Sequence, residues 1–485
     1  MLNALTTGFT KDALVELSRQ KGEPEWMLQK RLQAWEVYEK TPAPLGRRGD
    51  LGTLQALSRF KFQQLSPFVP AQDKALPEAI QQSLQESLVN ERSGLIVQHN
   101  SSVVYTQLNE DLKAKGVILT DLESAVREYP ELVQEYFMTK CVPVDASKYT
   151  ALHAAFWTGG VFLYVPEGVE IEAPILAQVW IDSSAAAIFS HSLVIASSQS
   201  SVRFAQEFTS SVESERPSLV SDVAEVFAKR EAIVEFSNLQ DLDQHTWNIT
   251  NKNAIHENDS SVTFVMADLG AKLNLNTIGA GLHGNASAAE LVGVFFTDHD
   301  QRYAINSLSD HVGLSTNAET MIKGVLTDES RVEFDGMIRI RPKAQQTASF
   351  LAAHGLLLSK KARGEFIPGL EIGANDVSAS HGATSGQIDE EQLFYLMVRG
   401  IARPEAERII VQGFFEPVLQ RIPLENLRIR LRRSIISRMS GEYETEADTW
   451  VDAQERWEIE GVDEGAIYLD DSTRPKSDEI ELDEY

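Results

Sequence analysis

A five-residue pattern recurs through the middle of the chain as SSVRF (200–204), AIVEF (232–236), SSVTF (260–264) and SRVEF (330–334). Each copy begins with a small residue, followed two and four positions later by Val and Phe. The Val residues are separated by 32, 28 and 70 residues, the last interval is close to twice 35, and a degenerate copy occurs inside it around Glu290 to Phe295. Recurrence at such intervals predicts a solenoid, in which each coil buries its apolar stripe only against its neighbours.

The sequence around these copies is typical of a long all-β region. Short apolar runs such as FLYV (162–165), ILAQVWI (175–181) and SLVIAS (192–197) follow one another without intervening amphipathic helices. A parallel β-helix explains both the runs and the repeat, and the polar stretch NITNKN (248–253) suits one of its corners. A sandwich or a propeller stays an alternative, because β-propensity alone can make a short motif recur.

The flanking regions have other patterns. After Pro24, apolar residues recur at helical spacing, and beyond Ile388 an acidic cap precedes a second helical pattern. We therefore expect five parts: an N-terminal helical segment (1–45), a mixed α+β region with a helix at 77–89 (46–150), a parallel β-helix core (151–388), a C-terminal helical region (389–440) and an acidic tail (441–485).

Charge narrows the classes of partner. The 485 residues carry a formal charge of −27, and the tail alone has 17 acidic and 3 basic residues. Such a charge repels nucleic acid and anionic membrane surfaces, so neither is expected as a partner. No run approaches the roughly 18 apolar residues of a membrane span, and the start lacks a signal pattern, so we predict a cytoplasmic protein. Cys141 is the only cysteine, and its apolar neighbours predict a buried, unreactive thiol.

Few residues suggest chemistry. A phosphate-binding loop, H-E-x-x-H, paired C-x-x-C and G-x-S-x-G are all missing from the sequence, which favours a non-catalytic protein. His354 and His381 lie among small or apolar residues. Imidazole is an accepted iron ligand, although a lone His is more often a hydrogen-bonded core residue. Asp298-His299-Asp300 and Asp310-His311 are weaker metal-site candidates.

Four blocks carry a family pattern: GEPEWMLQKRLQAW (22–35), KYTALHAAFWTGGVFLYVPEGVEIEAPI (148–175), the run from FDGMIRIRPKAQQT (334–347) through LLLS (356–359), and LEIGANDVSASHGATSGQIDEEQLFYLMVRGI (370–401). In this order they resemble the SufB/SufD family of iron–sulfur cluster assembly proteins. The resemblance covers most of residues 22–436. It implies a mainly β fold, a right-handed parallel β-helix core with helical N-terminal and C-terminal regions.

The resemblance also implies partners. A SufC-like ATPase subunit would dock on the segment from Gln392 to Phe415, and a SufB-like subunit would complete a heterodimer at the end of the β-helix. The residues that match the family string or fall within this docking segment are Phe394, Tyr395, Arg399, Gly400 and Phe414.

Within the family, the residues around His381 resemble SufD. SufB-type chains carry a cysteine near the LLLS block and a His-Glu pair where this chain has His381-Gly382. By resemblance, His381 is a metal ligand that helps to hold a transient iron–sulfur cluster shared with SufB. Relatives of the SufD type often have Cys where this chain has Ala379, so a second soft ligand is lost.

The resulting prediction is a SufD-like scaffold subunit of a SufB–SufC–SufD complex that assembles iron–sulfur clusters, with ATP hydrolysis in SufC. A SufB-like homodimeric scaffold is the first alternative. A β-helix carbohydrate-active enzyme with grouped carboxylates is the second, and it predicts a secretion signal.

Overall fold

The computed structural model describes residues 7–44, 51–71, 92–211 and 216–440. The helix expected at 77–89 and the acidic tail at 441–485 lie outside the described residues. Compact packing divides the chain into two units, Met1–Arg432 and Arg433–Tyr485, and the whole β core belongs to the first.

Helices lie on both sides of the β core in the sequence. Before it come α1 (Lys11–Lys21), α2 (Glu25–Lys40), α3 (Thr53–Ser58), α4 (Glu110–Ala114), α5 (Leu122–Glu128), α6 (Pro130–Tyr136) and α7 (Lys148–Phe156), with 3-10 turns at Phe62–Gln64 and Val144–Ala146. After it come α8 (Glu390–Val398), α9 (Arg403–Leu419) and α10 (Glu425–Ser440). Pro24 is the N-cap of α2, and Pro404 lies in the first turn of α9, where proline is tolerated. Within the described ranges no helix is long and apolar enough to cross a bilayer.

The other regular elements among the described residues of the first unit are strands. They are β1 (Gly94–His99), β2 (Ser102–Leu108), β3 (Ile118–Asp121), β4 (Val161–Val165), β5 (Glu170–Ile181), β6 (Ala187–Ala196), β7 (Ser201–Ser210), β8 (Ser218–Ala228), β9 (Ile233–Asp241), β10 (Thr246–His256), β11 (Ser261–Asp268), β12 (Leu273–Leu282), β13 (Ala288–Thr297), β14 (Arg302–His311), β15 (Asn317–Leu326), β16 (Arg331–Ile340), β17 (Thr347–Leu357), β18 (Arg363–Ile372) and β19 (Val377–Gln387).

Two sheets form the walls of the core. Sheet 1 has the order β19-β17-β15-β13-β11-β9-β7-β5-β1-β2, and sheet 2 has the order β18-β16-β14-β12-β10-β8-β6-β4-β3. From β4 onward consecutive strands alternate between the sheets and pair in parallel, so the chain winds through about eight coils of two strands each. The prediction of a mainly β, parallel solenoid with helical ends is confirmed, and the sandwich and propeller alternatives are wrong.

The recurring motif marks both walls rather than one. Val202, Val234 and Val262 are register partners on neighbouring strands of sheet 1. Val332 lies in sheet 2, where it pairs with Tyr303. The interpretation of the 70-residue interval as two coils of one wall was therefore wrong. On each wall, successive residues point alternately into the solenoid interior and outward, so the same motif can arise on either wall.

The degenerate copy begins earlier than expected. Ala289 and Leu291 are the register partners of Val262 and Phe264. The copy expected around Glu290 to Phe295 is therefore displaced, because the small Ala289 replaces Val and hides the true register in the sequence.

A ladder of left-handed residues turns the chain at the corner before the sheet 1 strands. It comprises Gln199, Glu231, Asp259, Ala286, Ser315 and Gln346, all with φ between 53° and 59°. Each backbone N–H donates to the next coil, as in Glu231 to the Asn258 carbonyl at 2.9 Å. The residue that follows is buried at the corner, and Ser260 Oγ there donates to the Glu257 carbonyl at 2.9 Å. This burial explains why the motif begins with a small residue.

The polar run NITNKN (248–253) is not a corner. It lies inside β10, where alternate residues face the solenoid interior. Asn248 Nδ2 donates to Asn274 Oδ1 at 3.0 Å, and the fully buried Lys252 forms an ion pair with Asp222. Polar groups can replace apolar ones in a buried strand when they satisfy one another, and a sequence pattern does not show such partners.

The N-terminal helices cover the outer face of sheet 2. Leu14, Trp35 and Phe156 pack in one cluster with Phe189 and Leu273 of that sheet. The solenoid interior holds a separate apolar cluster. Sheet 2 is therefore buried on both faces along its first coils, which explains why its strands lack a simple polar and apolar alternation.

Helix α9 and the start of α10, up to Arg432, lie against the outer face of sheet 1. Helix α9 contacts β13 and β15. The guanidinium of Arg421 pairs with Glu290 at 3.1 Å and with Glu319, and Arg430 pairs with Glu207 at 3.0 Å. These ion pairs hold the helices on carboxylates that sheet 1 presents outward.

Candidate functional site

The last coil of the solenoid exposes one end of the core. β18 and β19 are the edge strands of sheet 2 and sheet 1. An edge strand presents unpaired N–H and C=O groups, and proteins usually cover such edges. We call the surface formed by Arg363–Ile372 and Val377–Gln387 the terminal face.

His381 lies on the interior side of the terminal face. It is in register with Leu351 of β17, which is 1% exposed and belongs to the core. Register partners in parallel strands point to the same side of the sheet, so His381 continues the interior row. Ala379 and Ala383 pack against the same core cluster. His381 is exposed because the described residues place no further coil over it.

Apolar side chains accompany His381 on the terminal face. Leu370 and Ile372 of β18 are in register with Ile338 and Ile340, which are at most 1% exposed. Leu370 is 38% exposed and Ile372 is 46% exposed. Core-type residues are thus left uncovered on the last coil, which is typical of an interaction surface. Their exposure is not visible in the sequence, because their alternation is the same as in covered coils.

His354 and His381 do not form one site. His354 Nδ1 lies 2.8 Å from Thr384 Oγ1, and these two residues are register partners. Thr384 is three positions after His381, so the two histidines lie on opposite sides of sheet 1. Burial is the main cause that lowers the pKa of His354, and the nearby charge of Lys323 lowers it further. His354 is a neutral, hydrogen-bonded imidazole near pH 7.

Helix α8 carries a second exposed apolar surface. Leu393 is fully buried, whereas Phe394 is 66% exposed and Tyr395 is 55% exposed. The Asp389 side chain caps the helix by accepting the Glu391 N–H at 2.9 Å. Two aromatic side chains are therefore presented to solvent on a capped, well-formed helix.

The end of α8 is set by Gly400. Gly400 has φ +93°, a conformation that favours glycine. The preceding Arg399 places its guanidinium 4.5 Å from the centre of the Tyr395 ring and contacts the Tyr395 hydroxyl. Arg399 thus restricts the orientation of an exposed aromatic ring.

Phe414 has a different environment from the α8 aromatics. It is half-buried on α9, with the Lys323 ammonium 5.0 Å from its ring centre. The same ammonium donates to the Phe414 carbonyl at 2.9 Å. Phe414 helps to attach α9 to sheet 1, so the structure does not bring it onto the exposed surface of α8.

The other candidate ligands have structural partners. Burial raises the pKa of the Cys141 thiol, whose sulfur lies 3.1 Å from the Asn253 carbonyl oxygen, so the predicted buried thiol is confirmed. His311 is buried between Thr316 and Ser349. His299 is an exposed corner residue beside Asp298. In the part of the chain that the structure describes, no three His, Cys, Asp or Glu side chains are grouped to hold a metal.

Comparison with known proteins agrees with this architecture. The family model for the SUF system FeS cluster assembly SufBD core domain matches residues 179–414, and that for the SufBD protein N-terminal region matches 72–178. An iron–sulfur cluster assembly SufBD family protein of Staphylococcus epidermidis (strain ATCC 12228) is 31% identical over 440 residues, 90% of this chain and 94% of that protein. The chain belongs to the SufBD family. The iron–sulfur cluster assembly protein SufB of Bacillus subtilis (strain 168) is 29% identical over 445 residues, with the same coverages of 90% and 94%.

Family membership gives the general function. The chain is a SufBD-family iron–sulfur cluster assembly protein, and the resemblance seen in the sequence is confirmed. The family match favours an assembly protein over the alternative of a β-helix carbohydrate-active enzyme.

Proposed function

We propose that the chain is a SufD-like, non-catalytic scaffold subunit of a cytoplasmic SufB–SufC–SufD complex. It pairs with a SufB-like subunit through the terminal face and binds a SufC-like ATPase through α8 and the start of α9. The observation that carries the proposal is the position of His381, an exposed imidazole in the interior row of the last coil, whose apolar neighbours Leu370 and Ile372 are not covered by any described segment.

The pairing surface follows from the exposed core-type residues. Covering Leu370 and Ile372 with a second solenoid end would remove apolar surface from water at about 25 cal/mol per Å². The unpaired backbone groups of β18 and β19 would gain partners at the same time. A partner that itself ends in an open coil satisfies both requirements.

His381 would then hold the cargo at the junction. The iron–sulfur cluster is the product that the complex assembles, not a resident cofactor of this chain. A neutral imidazole can ligate iron, and thiolates would come from the partner, because the single thiol of this chain is buried on another part of the molecule. His381 would supply part of the ligand set.

The α8 surface suits an ATPase partner. Phe394 and Tyr395 are the type of exposed aromatic that dominates binding energy at protein interfaces. ATP hydrolysis would take place in SufC, and closure of two SufC subunits would pull on the helices after the solenoid and open the junction.

A SufB-like homodimeric scaffold is the second candidate. It is favoured by the similarity to the Bacillus subtilis protein named SufB. An argument against it is that this chain offers no accessible thiolate, because its one cysteine, Cys141, is buried and burial raises the pKa of the thiol.

Co-expression tests both candidates. The chain is produced with and without SufB-type and SufC-type subunits, purified anaerobically, and assayed for bound iron and sulfide. We expect a ternary complex with cluster, and His381→Ala should lower the iron and sulfide without dissolving it. His299→Ala, another exposed histidine, is the matched control. An unchanged cluster yield in His381→Ala would refute the ligand role, and a homodimer that holds cluster alone would favour the second candidate.

A further inference from the structure

A cleft opens where the N-terminal helical layer ends on sheet 2. Helix α3 and the residues up to Gln64 form one side, and Trp247 and Arg302 of sheet 2 form the other. The cleft encloses about 410 Å³, a volume within the range of small-molecule sites. It lies wholly within the first unit.

The cleft is positively charged in an acidic protein. Arg59, Lys61 and Arg302 line it, and the described lining residues include no carboxylate. Arg59 and Lys61 form no ion pair with any described residue. Other arginines on the solenoid surface are paired with carboxylates, for example Arg203 with Glu235 at 2.8 Å and Arg339 with Glu371 at 2.7 Å. Three cations line the cleft of a chain with a net charge of −27, and none of the described lining residues is a carboxylate, which favours an anionic ligand.

Two of the described carboxylates beside the cleft have partners in the protein. Glu333 accepts the Leu51 N–H at 2.8 Å and the Thr53 hydroxyl at 2.9 Å, which ties the start of α3 to the sheet. Asp300 pairs with Lys272. Asp300 is shared between Lys272 and Arg302, so the charge of Arg302 is partly compensated, whereas Arg59 and Lys61 form no ion pair with a described carboxylate.

Arg302 is held in place before any ligand binds. Its Nη1 donates to the Gly52 carbonyl at 3.1 Å, a contact across the cleft between sheet 2 and the residue before α3. A fixed guanidinium loses less freedom on binding and can present a pair of N–H donors to a phosphate.

Aromatic rings form the apolar wall of the cleft. Phe60 and Trp247 have ring centres 4.3 Å apart at an interplanar angle of 31°, and both are half-buried. Trp247, Leu273 and Arg302 are successive register partners on β10, β12 and β14. At about 4.8 Å between strands, the backbones of Trp247 and Arg302 are separated by roughly 10 Å. A ring surface and a cationic group at this separation suit a ligand with a planar ring at one end and phosphate at the other.

We propose that this cleft binds a small phosphorylated compound with a planar ring, of the nucleotide class. Arg302, with Arg59 and Lys61, binds the phosphates, and the ring packs against Phe60 and Trp247. This inference goes beyond the proposed scaffold function and does not depend on it.

Titration of the full chain tests the proposal. Isothermal calorimetry at low salt would use ADP as the probe, with pyrophosphate and adenosine as the phosphate-only and ring-only probes. We expect ADP to bind more tightly than either. Arg302→Gln and Lys61→Gln should each weaken ADP binding at least about tenfold, whereas Arg203→Gln, a paired surface arginine, should leave it unchanged.

Several results would overturn the assignment. The first two are that ADP does not bind, or that pyrophosphate binds as tightly as ADP. The third is that Arg203→Gln weakens ADP binding as much as Arg302→Gln does. The fourth is that a poly-glutamate peptide binds more tightly than ADP in competition. Lys61 is exposed, so Lys61→Gln keeps the test valid if Arg302→Gln does not fold. The SufB and SufC partners are absent from this experiment, so its failure is distinct from failure of the proposed function.

Discussion

His191 and Glu225 lie side by side under the N-terminal helical layer, with 3.2 Å between Nε2 and Oε1 and both side chains fully buried. Burial raises the pKa of Glu225 to about 8 and lowers the pKa of His191 to about 3. Near pH 7 the pair is therefore a neutral carboxylic acid beside a neutral imidazole. Glu225 also accepts the backbone N–H groups of Met138 and Val142 at 2.6 Å and 3.0 Å, so it holds the segment after α6.

The protonation of Glu225 makes stability depend on pH. The folded protein keeps this proton up to about pH 8, whereas the unfolded chain releases it near the ordinary value of 4.5. Unfolding between these values releases a proton, so this contribution to stability falls as pH rises. Relative to Glu225→Gln, the free energy of unfolding should decrease by about 1 kcal/mol per pH unit between about pH 5 and 7.

Urea unfolding of both proteins across this pH range measures the difference. Lys252, whose pKa burial lowers to about 7, titrates in both proteins and cancels in the comparison. The amide side chain in Glu225→Gln would keep an acceptor oxygen for the two N–H groups. A difference that is constant with pH would show that Glu225 is ionised in the folded protein.

The exposed aromatics of α8 should matter for binding and not for folding. Phe394→Ala and Tyr395→Ala remove side chains that are 66% and 55% exposed, so the free energy of unfolding should change by about 0.5 kcal/mol or less. Affinity for a SufC-type ATPase, measured by calorimetry, should fall at least about tenfold. Val15→Ala, on α1 and 40% exposed, is the control. Equal affinity in all three variants would rule out α8 as the docking surface.

The terminal face should be sensitive to charge. Ile372→Asp places a carboxylate on core-type surface that is 46% exposed in the single chain, so the chain should still fold. Burying that charge in an interface without a partner is costly, and pairing with a SufB-type subunit should weaken at least about tenfold. Sedimentation of the mixture measures pairing. Ile233→Asp, at a residue 50% exposed on β9, should leave pairing intact, and loss of pairing in both variants would contradict a specific role for this face.

The ion pairs of Arg421 should stabilise the C-terminal helices in a salt-dependent way. The Arg421 side chain is 31% exposed, and its partners Glu290 and Glu319 are 33% and 47% exposed. Solvent screening limits such a pair to about 1 kcal/mol or less. Arg421→Gln should therefore increase amide hydrogen exchange in α9 modestly at low salt, and the difference should shrink at ~0.5 M salt. Arg408→Gln, which removes a pair within α9, is the control. A difference that persists at high salt would indicate packing rather than charge.

Local patterns were enough to find most strands. FLYV (162–165) and ILAQVWI (175–181) lie inside β4 and β5, because short continuous apolar runs are typical of buried strands. NITNKN (248–253) was misassigned because its buried polar groups are satisfied by side chains on other coils, such as Asn274. For the candidate site, the sequence located His381 and α8 but not the exposure of Leu370 and Ile372.

The sequence by itself predicted the solenoid and the family, and it located His381 within the block 370–401. Each of these rests on residue types at fixed spacings, which are local and repeat from coil to coil. Only the tertiary structure decided that Val332 lies on the opposite wall from Val262, that His354 and His381 face opposite sides of sheet 1, and that the coil containing Leu370 is left uncovered. Exposure depends on which other segment covers a residue, and that relation is non-local.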